Sequence, residues 1–401
     1  MIREIQGGIC AVDGVKAYGL KDRKKGLAII VAEGPAAGVF TKNKIIAAPL
    51  IVTKEKLAAN GNRLAAAVIN SGNANAFTGE AGLKDANDMA DTLASKLNID
   101  SNLIAVASTG VIGRKLHIDI IKEQMDRVIP ELSSSDAGNE TAMNAIMTTD
   151  LVPKGCAVEV ETKAGTFRIG GIAKGSGMIE PNMGTMLGFV YTDAVVSSSM
   201  IQKCLTEAAN KSFNMIVVDG DTSTNDMCLL TATGKTGIDA SLIQNEFQEA
   251  LNYVLIDLAK KIAKDGEGAT KLIESTVTSA KTQNDAKLAS KSIVRSPLVK
   301  SAIFGNDPNW GRIVAAAGYS GADFDQTKIS LTLTDGTNSV TLVKTGKIVD
   351  NSPAALEELK KIMSSKTIYI HTDLGAGDEK ATAWGCDLTY DYVKINADYT
   401  T

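Results

Sequence analysis

Short apolar runs bounded by Gly, Asn or Asp recur along the chain, at Leu27 to Val31, Leu64 to Ile69, Ile104 to Val106 and Met215 to Val218. Runs of this length between turn-forming residues predict buried strands. Longer amphipathic stretches alternate with them. Leu83, Ala86, Met89, Ala90, Leu93 and Leu97 share one helical face, as do Ile243, Phe247, Leu251, Val254, Leu255 and Leu258, so each set predicts a helix packed by that face. A third helix is expected from Ile118 to Ile129, ending at Pro130, where the ring cannot continue the hydrogen-bond ladder. Two hairpins are predicted. Val158 and Val160 face Phe167 and Ile169 across Ala164-Gly165, while Ile329, Leu331 and Leu333 face Val340 and Leu342 across a loop holding Asp335-Gly336. Hairpin-paired strands mixed with helices predict a layered α/β (α+β) architecture rather than a strict βαβ repeat. The polar stretch from Ser275 to Ser296 carries Val277, Ala280, Ala286, Ala289 and Ile293 at spacings that fit a helix with a small-residue face. A helix is the preferred reading there, and a linker the alternative.

Composition narrows the function classes. A chain of 401 residues with 44% hydrophobic and 22% charged content has the make-up of a globular protein of two or three units. With 42 Lys and Arg against 46 Asp and Glu, its net charge of −4 offers no basic field for a phosphate backbone, so no nucleic-acid partner is expected. No apolar run approaches the ~20 residues of a membrane span, and the glycine-broken opening lacks a secretory h-region. A cytoplasmic protein without membrane attachment is expected. The five cysteines form no Cys-x-x-Cys pair, which suits reduced, buried thiols. With only His117 and His371 present, a His-dependent triad or His-rich metal site has few candidates, and both are read as structural. The run from Asp219 to Asp226 lacks the glycine and glutamate spacing of a calcium hand and reads as a structural or site-wall turn. No Walker-type phosphate loop exists, since Leu229 stands where the first glycine before Gly234-Lys235-Thr236 would be.

The most distinctive stretch runs from Gly170 to Phe189, where a glycine-rich loop with one proline precedes an apolar run opening at Thr185. Such a loop permits positive φ and close backbone approach. A hydroxyl at the first position after it can attack the preceding peptide carbonyl, and hydrolysis of the resulting ester would leave Thr185 as a new N-terminus. Its α-amine, with an ordinary pKa of about 7.7–8.0, would then stand beside its own hydroxyl as general base. The pattern equally fits a threonine that merely starts a buried strand.

Several further segments occur in a characteristic order: Gly38 to Asn43 with Ala47-Ala48-Pro49, Asn70 to Ala76, Ser108 to Gly113, Met147 to Asp150, Lys174 to Leu187, Asp219 to Asp226, Gly305 to Arg312, Trp384 to Thr389 and Tyr392 to Tyr399. On these segments the sequence resembles the ornithine acetyltransferase family, the bifunctional glutamate N-acetyltransferase/amino-acid acetyltransferases, grouped with the self-processing N-terminal-nucleophile-like enzymes. The resemblance implies that fold, and cleavage between Gly184 and Thr185 into an α chain of residues 1–184 and a β chain of 185–401, with about 280–401 as a further subdomain. It also implies that the two chains stay associated, as α2β2. One departure is that alanine usually precedes the threonine in this family. Gly184 is small and relaxes the local geometry, so cleavage is expected at an altered rate.

The implied reaction moves acetyl from N-acetylornithine to glutamate through an ester on Thr185, in the cyclic route of arginine biosynthesis. No metal and no bound cofactor are implied. Acetyl-CoA is a co-substrate for some members, and no local motif decides whether it is one here. Thr109 and Gly110 match the residues that stabilise the oxyanion. Lys174 and Thr148 match substrate-site residues, Thr149 being the neighbouring alternative, with Lys174 suited to a carboxylate or developing negative charge. Glu267, between two glycines, matches an acidic residue suited to a substrate ammonium. Asn396 and Thr401 match C-terminal substrate contacts, so the chain end is expected to fold back to the site. Read without the resemblance, each would pass for an ordinary turn or surface residue.

Two rivals follow. The first keeps the Thr185 nucleophile and passes the acyl group to water, as an aminopeptidase or amidohydrolase of the same fold. The second is a non-catalytic binding protein whose threonine is inert.

Overall fold

A computed structural model of the chain describes residues 1–180, 186–349 and 352–398. Its contacts divide the chain into two compact units, Met1–Asn214 with Asp221–Leu258, and Met215–Gly220 with the described residues from Ala259 to Asp398. The passage between them at Leu258 falls within the single helix Gln244–Lys264.

Among the described residues the first unit holds a nine-stranded sheet. The strand Lys25–Phe40 pairs antiparallel with Lys16–Asp22 and with Arg63–Asn73, and the latter pairs parallel with Ile104–Val111. Further along, Gly165–Lys174 pairs antiparallel with Leu187–Thr192, which runs parallel to Met227–Ala232. Strand side chains alternate between faces, and two of the hydrophobic clusters divide on that alternation. Ala28, Ile30, Ala67, Ile69, Ala105 and Ala107 enter one cluster, with Ala142, Ala145 and Ile146 of the helix Asp136–Ile146. Leu27, Ile29, Ala66, Val68, Ile104 and Val106 enter the other, with Ala86, Met89, Ala90 and Leu93 of the helix Gly79–Leu97. Strands covered on both faces read as unbroken apolar runs, which is why they stand out in the sequence.

The second unit is built on a seven-stranded sheet among the described residues. Its strand Leu272–Ala280 lies between Thr367–Asp373, parallel, and Glu379–Cys386, antiparallel. The helix Gln283–Arg295 buries Ala286, Ala289 and Ile293.

The layered α/β expectation holds, and most elements fall where the periodicity puts them. Val158 pairs with Ile169 and Val160 with Phe167, as expected. The helix Ile118–Val128 ends just before a short 3-10 turn containing Pro130. Two readings change. The stretch from Ser275 to Ser296 is not one helix, because its first part belongs to the strand Leu272–Ala280. Ile273, Ser275 and Val277 are fully buried on alternate positions, and a serine in the buried row hid the period-2 pattern. In the later hairpin a register shift after Leu331 sets that residue opposite Val343, not Leu342.

Candidate functional site

The helix Asp136–Ile146 ends at Met147, which turns extended with φ −65° and ψ 151°. The turn that follows places Thr148 and Asp150 against the end of the strand Gly165–Lys174. Lys174 Nζ donates to Thr148 Oγ1 at 2.8 Å and lies 3.5 Å from Asp150 Oδ2. Asp150 also accepts from the N–H of Thr148 at 3.0 Å, from the N–H of Gly175 at 2.6 Å and from Lys154 Nζ at 2.7 Å. Both Asp150 and Lys154 side chains are out of solvent, at 0% and 1% exposure, where an ion pair persists only if its remaining hydrogen-bonding capacity is met. Burial alone would raise the Asp150 carboxyl. The Lys174 and Lys154 ammonium groups, with the hydrogen bonds from Lys154 and the Thr148 N–H, overcome it and hold the group well below the ordinary carboxylate range.

Strand register gives Lys174 its setting. It pairs with Leu187, two positions beyond Thr185, so residues 175–186 form the connection between two neighbouring strands. Gly184 and Thr185 lie outside the described residues. On the approach to them, Ile179 bridges Thr222, the N–H of Glu180 donates to the Asp221 carbonyl at 2.8 Å, and Thr222 Oγ1 donates to the Glu180 carbonyl at 2.9 Å. Beyond them Leu187–Thr192 is buried throughout.

Thr109 and Gly110 end the strand Ile104–Val111, opposite Ser71 and Gly72. Gly110 has φ +129°, and a Cβ there would come within 2.4 Å of the Gly72 carbonyl carbon. Only glycine fits, and backbone against backbone leaves no room to yield. Buried polar groups brace this end of the strand. Ser108 Oγ donates to Asn70 Oδ1, and Asn225 Nδ2 donates to the carbonyls of Ser108 at 2.9 Å and Ala74 at 2.6 Å. The acidic and amide-rich run thus contributes a structural turn.

In the second unit Glu267 and Asn396 meet. Asn396 Nδ2 donates to Glu267 Oε2 at 2.9 Å and to the Tyr392 carbonyl at 3.0 Å. The helix Tyr390–Asp398 is docked to this turn, because Asp387 accepts the N–H groups of Thr270 and Lys271 and Thr389 Oγ1 donates to the Gly268 carbonyl at 2.7 Å. Gly268, at φ +68°, could not carry a Cβ without meeting Tyr392 N at 2.5 Å. Thr401 lies outside the described residues. His117 precedes the helix Ile118–Val128 without capping it, and His371 is exposed on the strand Thr367–Asp373.

All five cysteines are buried, and none is joined in a disulfide. Burial pushes Cys10 up to about 11 and Cys228 up to about 12, which removes their thiolates at neutral pH.

Residues 12–401 match the ArgJ family. The chain belongs to the ArgJ family. A glutamate N-acetyltransferase of Methanosarcina mazei is 57% identical over 401 residues, covering all of both chains. Another, from Methanothermobacter thermautotrophicus, is 51% identical over 403 residues, covering 100% of this chain and 99% of that one. Among solved structures, the arginine biosynthesis bifunctional protein ArgJ of Bacillus halodurans is 42% identical, with a TM-score of 0.47, over 53% of this chain and 98% of that chain. As an ArgJ-family member the protein is an enzyme, an acyltransferase.

Around Thr148 and Lys174, sequence reasoning missed Asp150 and Lys154, and also Lys21, whose Nζ donates to Ser71 Oγ at 3.0 Å and to the Met147 carbonyl. Asp150 closes the Met147 to Asp150 segment and stands four residues before Lys154, a spacing that could have suggested the ion pair. Lys21 carried no local signal, since Lys21-Asp22-Arg23-Lys24-Lys25 reads as a solvated charge run.

Proposed function

We propose that the chain cleaves itself between Gly184 and Thr185 and then transfers acetyl from N-acetylornithine to glutamate. The observation that carries this reading is Lys174, a buried ammonium held by Thr148 and Asp150 on the strand that pairs with the one leading away from Thr185. A fixed cation beside a glycine-rich connection suits a substrate bearing a carboxylate, and two full-length relatives carry the name glutamate N-acetyltransferase.

In the first half-reaction the Thr185 α-amine takes the proton from its own Oγ, which attacks the acetyl carbonyl. The C–N bond of N-acetylornithine breaks and the proton passes to the leaving amine. The acetyl ester on Thr185 is then attacked by the α-amine of glutamate, releasing N-acetylglutamate and restoring the hydroxyl. The Thr109 hydroxyl and Gly110 N–H serve as donors to the oxyanion in both halves, and Glu267 receives the ornithine ammonium. Ping-pong kinetics follow from the shared ester.

The cleaved chains remain together as α2β2. Strand pairing supports their association, since Leu187–Thr192 hydrogen-bonds to Gly165–Lys174 on the other side of the cleavage point. Acetyl-CoA is the second acetyl donor to be tried.

The test is intact-mass analysis and N-terminal sequencing of the protein beside Thr185→Ala. Two fragments, a new N-terminus at Thr185 and acetyl mass on the second fragment after N-acetylornithine alone support the proposal. An intact, active chain would overturn the nucleophile. Ornithine release that glutamate does not accelerate would instead assign water as acceptor.

A further inference from the structure

The strand Lys16–Asp22 brings Lys21 into the polar cluster of the first unit. Lys21 Nζ donates to Ser71 Oγ at 3.0 Å and to the main-chain carbonyl of Met147. Each acceptor adjoins a residue of the proposed site. Ser71 is the register partner of Thr109, and Met147 directly precedes Thr148, the hydroxyl that receives Lys174. Lys21 therefore stands between the strand-end pair Thr109–Gly110 and the Thr148–Lys174 pair.

Charge gives the position its meaning. Burial lowers the pKa of Lys21, the like charge of Lys174 lowers it further, and Asp150 opposes both. Asp150 is already taken up by Lys154 at 2.7 Å and by two main-chain N–H groups. Among the described residues Lys21 and Lys174 have no other acid. Holding one buried and one half-buried ammonium near one shared carboxylate is unfavourable, and a further anion relieves it. Among the described residues Lys21 also keeps one N–H uncommitted, since an ammonium has three and two are used.

We infer that Lys21 is a second cation of the substrate-carboxylate subsite, acting with Lys174 on the α-carboxylate of the N-acetylated amino acid. The inference rests on the acetyl-transfer reading and deepens it. Lys21 confers selectivity for a substrate with a free carboxylate over the same molecule with a neutral carboxamide. Its bonds to Ser71 and Met147 hold the ammonium on that side of the site, so charge and placement come from one side chain.

The experiment compares kcat/KM for N-acetylornithine and for its α-carboxamide, with wild type, Lys21→Met, Lys21→Arg and Lys174→Met, each checked for self-processing and thermal midpoint. Wild type should prefer the carboxylate by about tenfold or more, the scale of one charge-assisted contact. Lys21→Met should lose about tenfold on the carboxylate, mostly in KM, and little on the carboxamide, while Lys21→Arg should retain most of the discrimination. Equal losses on both substrates, or no loss, would overturn the role of Lys21. If Lys21→Met does not fold, Lys21→Gln is read by the same ratio. Undiminished discrimination in Lys174→Met as well would show that the carboxylate binds elsewhere, so that the underlying site reading fails instead.

Discussion

Asp150 accepts the N–H of Gly175 at 2.6 Å, across 25 positions of sequence. That bond ties the turn after the helix Asp136–Ile146 to the first residue of the glycine-rich connection. The same carboxylate receives Lys154 and faces Lys174, so one buried acid sets both the cation and the start of the loop.

Replacing Asp150 by Asn should therefore be costly. It keeps the shape but removes the carboxylate from the buried Lys154 ammonium, a loss of about 3–5 kcal/mol for a buried pair. Chemical denaturation should show it, and the appearance of fragments during expression should slow. A loss below about 1 kcal/mol, within the range of exposed pairs, would mean that the pair is far less desolvated than its 0% and 1% exposures indicate.

The same residue predicts a pH profile. The folded Asp150 pKa lies below the unfolded value of about 3.9. Its contribution to stability is thus fully present above that unfolded value and is lost as pH falls through the folded one. The stability gap between wild type and Asp150→Asn should stay level from pH 7 to about 5, then narrow below about 4. A gap that closes already near pH 6 would contradict the depressed pKa.

The strand-end pair Thr109 and Gly110 separates chemistry from packing. Thr109→Ala should lower kcat by about 10²–10³, the effect of losing one oxyanion donor, while the thermal midpoint moves little. Gly110→Ala should destabilise the fold, because its Cβ would overlap the Gly72 backbone at φ +129°. A Thr109→Ala enzyme with normal kcat would remove the hydroxyl from the proposed mechanism.

Thiol chemistry supplies a negative control. All five cysteines are buried, and Cys10 and Cys228 are pushed up to about 11 and 12, so iodoacetamide at pH 7.5 should leave native activity intact and label the protein only after unfolding. Rapid inactivation of the native enzyme would point to a reactive thiol at the site.

Much of the architecture was legible because burial leaves a local trace. Leu27 to Val31 reads as a strand since both faces of that strand are covered, and Ala86, Met89, Ala90 and Leu93 read as a helix since one face is. The strand Leu272–Ala280 escaped because Ser275, fully buried, looks polar. Of the site, Thr148 and Lys174 were named on resemblance, and the structure brings them to 2.8 Å. Glu267 and Asn396 were named in the same way and meet at 2.9 Å.

The sequence by itself determined the alternation of strands and helices, the hairpin register around Ala164-Gly165 and the family of the chain, because periodicity and ordered segments are local properties. Only the tertiary structure decided that Lys21 reaches the Met147 carbonyl across 126 positions and Ser71 across 50, and that Asp150 is shared by Lys154 and Lys174. Those meetings depend on which strands lie side by side in the sheet. A charged residue in an exposed-looking run carries no mark of the neighbours that strand order will give it.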